Sequence, residues 1–266
     1  MEHVISKDGT RIAYRQAGQG PPLVLVHGAM QDHTRWLEVA PMFEPHVSIY
    51  MMERRGRGES GDAASYAMER EYEDVAALVD SIGEPAHLLG HSYGAELALG
   101  AALLTNNVRS LVLYEPAILE GSTGTYEAEA VVSTIRLMEE LFAAGKIEDG
   151  LTACLRGLLE MPDEQIELFK SSPAWKGRVA SAPTILRELH AEAAYRFEPK
   201  RYANLTVRTL LLQGTESAQV AKDGTAALDA ALPDSRIVVL EGQGHGAITT
   251  APELFVREVL AFLQTR

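Results

Sequence analysis

Leu23–Val26 is a run of wholly apolar side chains between Pro22 and His27. It is too short for a helix and does not alternate with polar residues, so it reads as a strand buried on both faces. Comparable runs recur at Val47–Met52, Ala86–Leu89, Val108–Tyr114, Thr209–Gln213 and Arg236–Leu240. Helix-period stretches separate several of them: a short one at Thr34–Phe43, then Tyr72–Ile82, Ala95–Leu104 and Ala218–Leu232, with Pro252–Gln264 closing the chain. Strands alternating with helices imply an α/β fold with a mostly parallel sheet and helices on both faces, because parallel neighbours need a crossover. The start differs. Val4–Ser6 and Arg11–Ala17 flank Asp8 and Gly9, the signature of an antiparallel hairpin.

Between the runs at 108–114 and 209–213 the pattern is helical only. After a loop at Gly121–Gly124, helices are predicted at Ala128–Ala144, Ile147–Leu159, Asp163–Lys170 and Ala182–Phe197, with breaks at Gly145, Pro162, Pro173 and Pro183. An insertion of this kind reads as a lid over the strand ends. It divides the chain into a core of residues 1–116 and 204–266 and a helical cap of 117–203.

Gly90, His91, Ser92, Tyr93 and Gly94 stand where the strand at 86–89 gives way to a helix. A serine flanked by glycines at this junction has the spacing of a nucleophile elbow. The turn is so tight that neighbouring backbone leaves no room for a Cβ at either flank, and the serine is lifted clear of the sheet. The following helix N-terminus favours negative charge developing nearby, which suits acyl chemistry. After the strand at 23–26 come His27, Gly28, Ala29 and Met30. The N–H groups of Ala29 and Tyr93 would form an oxyanion-binding pair, with Gly28 allowing close approach and His27 bracing the loop. Of the histidines, His245 lies in a glycine-rich loop, Gly242–Gly246, after the last strand, where it can act as the base that Ser92 needs. The segment Glu53–Gly61, with Arg54, Arg55 and Arg57, reads on physics alone as a solvated charged loop, although its place opposite the elbow adds interest.

With 24 Lys and Arg against 37 Asp and Glu, the formal net charge of −13 opposes nucleic acid and anionic membranes as partners. A small uncharged or cationic ligand fits that balance better. The single cysteine, Cys154, cannot form an intrachain disulfide and reads as core packing. No Cys/His cluster has metal-ligand spacing, so neither metal nor cofactor is expected. Met1–Gly9 lacks an apolar signal core, and no run approaches the ~18 to 20 apolar residues of a membrane span. The expected setting is cytoplasmic.

Together, the His27-Gly28 loop, the Arg55-Gly56-Arg57-Gly58-Glu59-Ser60 segment, the Gly90–Gly94 elbow and the Gly244-His245 loop resemble the α/β-hydrolase superfamily, in series and over essentially the whole chain. The resemblance implies an eight-stranded sheet, a cap after the sixth strand, and attack by Ser92, deprotonated by His245, to give an acyl-enzyme that water hydrolyses. Two glutamates compete for the acid. The commoner family arrangement uses the loop after Thr209–Gln213, often an aspartate three residues past a glycine, but that place holds Ser217 and Glu216 is one residue off. In the haloalkane-dehalogenase branch the acid is a glutamate directly after the sixth strand, which Glu115 resembles. Both precede His245, so chain order does not decide. Glu115 is preferred because an off-register loop must shift to orient the imidazole.

A serine at the nucleophile position points towards esterases, lactonases, carbon–carbon bond hydrolases and cofactor-free perhydrolases. The leading expectation is a serine hydrolase of a small ester, lactone or related acyl compound. Met30, Phe142, Leu158 and Trp175 are candidate pocket residues. A ligand-binding receptor on the same scaffold is the third reading, since fold does not dictate function.

Overall fold

The structure is a computed structural model that describes residues 1–116, 118, 129–158, 161–171 and 174–265. The loop expected at Gly121–Gly124, the boundary residue Ala117, the helix ends at Ala128 and Leu159 and the break at Pro173 lie outside them.

An opening hairpin pairs β1 (Glu2–Ile5) with β2 (Arg11–Gly18). The remaining strands are β3 (Pro22–Val26), β4 (Ser48–Met52), β5 (Ala86–His91), β6 (Val108–Tyr114), β7 (Thr209–Gly214) and β8 (Ser235–Leu240). They form one eight-stranded sheet in the order β1-β2-β4-β3-β5-β6-β7-β8, antiparallel across β1, β2 and β4 and parallel from β4 to β8. From β3 the chain steps outward to β4 and then returns to the other side of β3 as β5. The strand order therefore reverses at β3 and β5, and the crevice beyond their carboxyl ends is where α/β sheets bind ligands.

The helices are α1 (Ala40–Phe43), α2 (Met68–Ser81), α3 (Tyr93–Ala101), α4 (Glu129–Ala143), α5 (Ile147–Gly157), α6 (Asp163–Lys170), α7 (Ala174–Ala194), α8 (Gln219–Ala231), α9 (Ala247–Thr250) and α10 (Pro252–Gln264). Successive strand side chains enter opposite cores, as a period of two requires. Val24, Leu88 and Leu111 pack with Tyr72, Val75 and Leu97 on one face. Leu25, Leu89 and Val112 pack with Trp36, Phe43, Phe255 and Phe262 on the other. A third apolar cluster joins Met138, Leu151, Ile166, Ile185 and Leu189 of α4–α7 to Met30 of the core. No helix among the described residues is long and apolar enough to cross a membrane.

Two helical expectations change. Thr34–Phe43 is a 3-10 turn at His33–Trp36 followed by the short α1, because Pro41 has no N–H and fits only a first turn. Pro183 does not end a helix; α7 runs through it, starting at Ala174 rather than Ala182. An interior proline costs about 3 kcal/mol, which burial of Ala182, Ile185 and Leu189 along the helix offsets.

Candidate active site

Among the described residues, three non-glycines adopt positive φ: Met30 (57°), Ser92 (55°) and Glu115 (46°). They follow the neighbouring strands β3, β5 and β6, all at the carboxyl edge of the sheet. Such backbone is costly for an L-residue and persists where the surroundings over-determine it, so this edge is a candidate site.

Ser92 precedes α3, with its N–H donating to the Tyr114 carbonyl at 2.9 Å. A Cβ on Gly90 would overlap Gly94 O and the Ala95 backbone, and one on Gly94 would overlap the carbonyls of Val26 and His27. Both glycines are sterically required, as the elbow pattern demands. Tyr93 is the first residue of α3, so its N–H has no partner within the helix. Gly28 lies across from the elbow: a Cβ there would be 3.1 Å from Ser92 Cβ. That contact brings the Gly28-Ala29-Met30 turn to Ser92.

His245 and Glu115 meet across 130 residues of sequence, with Nδ1 2.7 Å from Glu115 Oε2. The other carboxylate oxygen accepts from the Gly214 N–H at 2.9 Å and from the Ser217 hydroxyl. Burial would raise the Glu115 carboxyl, but the hydrogen bond and charge of His245, with Ser217 and Gly214, outweigh it and hold the pKa below the ordinary value. Glu216 is exposed and contributes its N–H to the Gln243 carbonyl at 2.8 Å. The His245 loop is pinned on both sides. The Tyr114 hydroxyl donates to Gly244 O and accepts from the Ala247 N–H, while His91 Nε2–H donates to the His245 carbonyl at 3.0 Å. Sequence reasoning missed these supports, although Tyr114 and His91 each adjoin a residue it had singled out.

The expectation of a solvated loop at Glu53–Gly61 is overturned. Arg54 and Arg55 are fully buried, because the fold supplies each with a buried carboxylate. Nε and Nη2 of Arg54 grip Glu71, Arg55 grips Asp74 in the same way, and Arg57 reaches Glu188 of α7 at 2.6 Å. Glu188 also lies 3.1 Å from Arg54. Burial opposes the Arg54 charge, yet Glu188 and Glu71 raise its pKa further; Glu71, which burial would raise, is held low by Arg54. Arg54 Nη1 then donates to the Gly28 carbonyl at 3.1 Å, and its guanidinium lies 4.6 Å over the Tyr93 ring. The network thereby braces both expected oxyanion-binding segments. His27 braces the same loop: Nδ1–H donates to Gly28 O at 2.9 Å, Nε2 accepts from Arg54 N at 3.4 Å, and burial with the Arg54 charge keeps the ring neutral.

Of the candidate pocket residues, Met30 follows the Gly28-Ala29 turn and meets the α4–α7 cluster through Cys154 Sγ at 3.4 Å from its Sδ. Phe142, Leu158 and Trp175 pack within that cluster, Phe142 against Gly150 and the Trp175 indole donating to Glu148 at 3.1 Å. Burial pushes the Cys154 thiol up to about 12, which fits packing rather than reactivity. Among the described residues, no group of His, Cys, Asp and Glu is placed to hold a metal ion.

An alpha/beta hydrolase from Sphaerobacter thermophilus superposes with a TM-score of 0.86 at 31% identity, covering 99% of this chain and all of the other. Esterase RhEst1 from Rhodococcus sp. ECU1013 does so with a TM-score of 0.75 at 26% identity, over 99% and 98%. The 2-hydroxy-6-oxo-6-(2'-aminophenyl)hexa-2,4-dienoic acid hydrolase of Metapseudomonas resinovorans is 20% identical over the full chain and 92% of its own length. The sequence profile of the alpha/beta hydrolase family matches residues 23–258, a span that takes in the strained turns after β3, β5 and β6 and the His245 loop, and the chain belongs to that family.

Proposed function

We propose that the protein is a serine hydrolase of a small carboxylic ester, lactone or related acyl compound, acting through an acyl-enzyme. The observation that carries this reading is the Glu115–His245 contact of 2.7 Å, one residue beyond the Tyr114 carbonyl that accepts from Ser92 N–H, with Ser92 held in strained backbone at a helix N-terminus. With Nδ1 committed to Glu115, His245 has Nε2 for proton transfer. Ser92 Oγ gives its proton to Nε2 and bonds to the acyl carbon, while the N–H groups of Ala29 and Tyr93 take the charge on the carbonyl oxygen. The leaving oxygen departs with the proton from Nε2, and a water activated by the same nitrogen cleaves the acyl-enzyme. In this reading α4–α7 are a cap, supported by the packing of Met30 into their cluster. The proposed setting is the cytoplasm, supported by the lone cysteine.

Treatment with a fluorophosphonate is expected to add one adduct to the wild-type chain and none to Ser92→Ala, which also loses ester turnover. A folded wild-type chain that takes no adduct would overturn the reading. Cleavage of a carbon–carbon bond by the same residues is the second reading, favoured by the full-length similarity to the dienoic acid hydrolase. A 1,5-diketone and a matched ester, assayed side by side, separate the two.

A further inference from the structure

Two arginines beside the turns that follow β3 and β8 differ from those that hold carboxylates, since neither is gripped by one among the described residues. Arg54 and Arg55 each present the Nε–Nη2 edge to a buried carboxylate, and exposed Arg156 does the same to Asp163. Arg35 and Arg178 are tethered through Nη1 instead. Arg35 Nη1 donates to Thr249 Oγ1 at 2.6 Å, on the short helix after His245, and Arg178 Nη1 donates to the Met30 carbonyl at 2.9 Å. Each has a buried Nε without a hydrogen-bond partner, as Arg57 and Arg187 also have, but unlike those two neither is paired with a carboxylate among the described residues. Phe169 covers one face of Arg178, 4.0 Å from the guanidinium carbon.

Both cations remain incompletely neutralised. Burial, and then Arg35, lower Arg178 to about 9 with Asp32 offsetting part; burial lowers Arg35 to about 10 against the opposing influence of Tyr114 and Glu38. They stay charged at neutral pH, and both lie close enough to His91, the residue before Ser92, to disfavour its protonation beyond the effects of burial and His245. A guanidinium that no carboxylate of the protein neutralises can take one from a ligand through its terminal N–H groups.

We propose that Arg35 and Arg178 form an anion-binding subsite beside Ser92, so that the substrate is an acyl compound bearing a free carboxylate. This rests on the serine-hydrolase reading and deepens it. It also reverses the preference for uncharged or cationic ligands suggested by a net charge of −13, because the local field at the site is set by two nearby cations rather than by the surface total.

The test uses mono-4-nitrophenyl glutarate and its methyl ester, which differ only in the free carboxylate. Wild-type kcat/KM should favour the monoester at least tenfold at low salt, chiefly through KM, with the preference shrinking as salt rises. In Arg178→Gln the ratio between the two probes should fall towards one, whereas Arg178→Lys should retain part of it. A purely structural role through the Met30 carbonyl would lower both probes alike and leave the ratio intact, which overturns the proposal. Equal wild-type kcat/KM values for the two probes would overturn it as well. Calorimetric binding of both probes to Ser92→Ala separates the two readings. Tighter calorimetric binding of the monoester, together with a wild-type chain that takes no fluorophosphonate, would sink the hydrolase and keep the subsite; labelling of the wild type with equal binding of the two probes would do the reverse.

Discussion

Glu115 spends both carboxylate oxygens on fixed partners, His245 among them, whereas Glu216 is exposed. Glu115→Gln is expected to lower kcat by about 10³–10⁴-fold, as loss of the orienting carboxylate does in a serine triad, while Glu216→Gln stays within about twofold. Ser217 occupies the place where the commoner arrangement puts an acid, and instead donates to Glu115. Removing that donor destabilises the ionised form, so Ser217→Ala should move the acid limb of the kcat/KM profile to higher pH. An unmoved limb would show that Ser217 does not tune the pair. Both glutamates are visible in the sequence as candidates, with Glu115 preferred; its 2.7 Å contact with His245 is not legible there, because hydrogen-bond geometry has no local sequence signature.

The segment after β4 and helix α7 form one ionic unit, with Glu188 lying against Arg54 and Arg57. Removing one partner from such a buried group leaves uncompensated charge. Glu188→Gln is therefore expected to cost about 3–5 kcal/mol in urea unfolding, and a change below about 1 kcal/mol would mean water or neighbours replace it. The same segment misled the sequence reading. Five charged residues between glycines look solvated, and their carboxylate partners come from elements many residues away. Helix α7 was likewise shortened at Pro183, since the local cost of proline is plain in the sequence and the burial that offsets it is not.

Across the whole molecule, buried histidines set the acid response. Burial, with nearby positive charge, holds His27 and His91 well below their ordinary pKa, and burial with Arg109 and Arg208 lowers His87 to about 4. Between those values and about 6.5 the unfolded chain binds more protons than the native one, so stability falls as pH falls. Each histidine contributes a slope of up to ~1.4 kcal/mol per pH unit. Glu115 and Glu71, with depressed values, add stability that is lost at lower pH still, as each is protonated; Asp74, raised by burial, works the other way. Denaturation at pH 7.5, 6.5 and 5.5 should show a plateau and then a decline, shallower in His87→Gln. Unchanged stability down to pH 5.5 would contradict this account.

Apolar runs too short for helices, helix-period stretches between them and a serine between two sterically required glycines were enough to specify the sheet, its direction and the position of Ser92. These are consequences of local sterics and of periodicities spanning a few residues, which the chain carries wherever it is cut. The contact that joins Glu115 to His245, the burial of Arg54 and Arg55 and the seating of Arg35 on Thr249 and of Arg178 on the Met30 carbonyl belong to the tertiary structure. Each depends on side chains from separate elements converging at one edge of the sheet, and the energy of a charge is set by what surrounds it in space rather than by its neighbours along the chain.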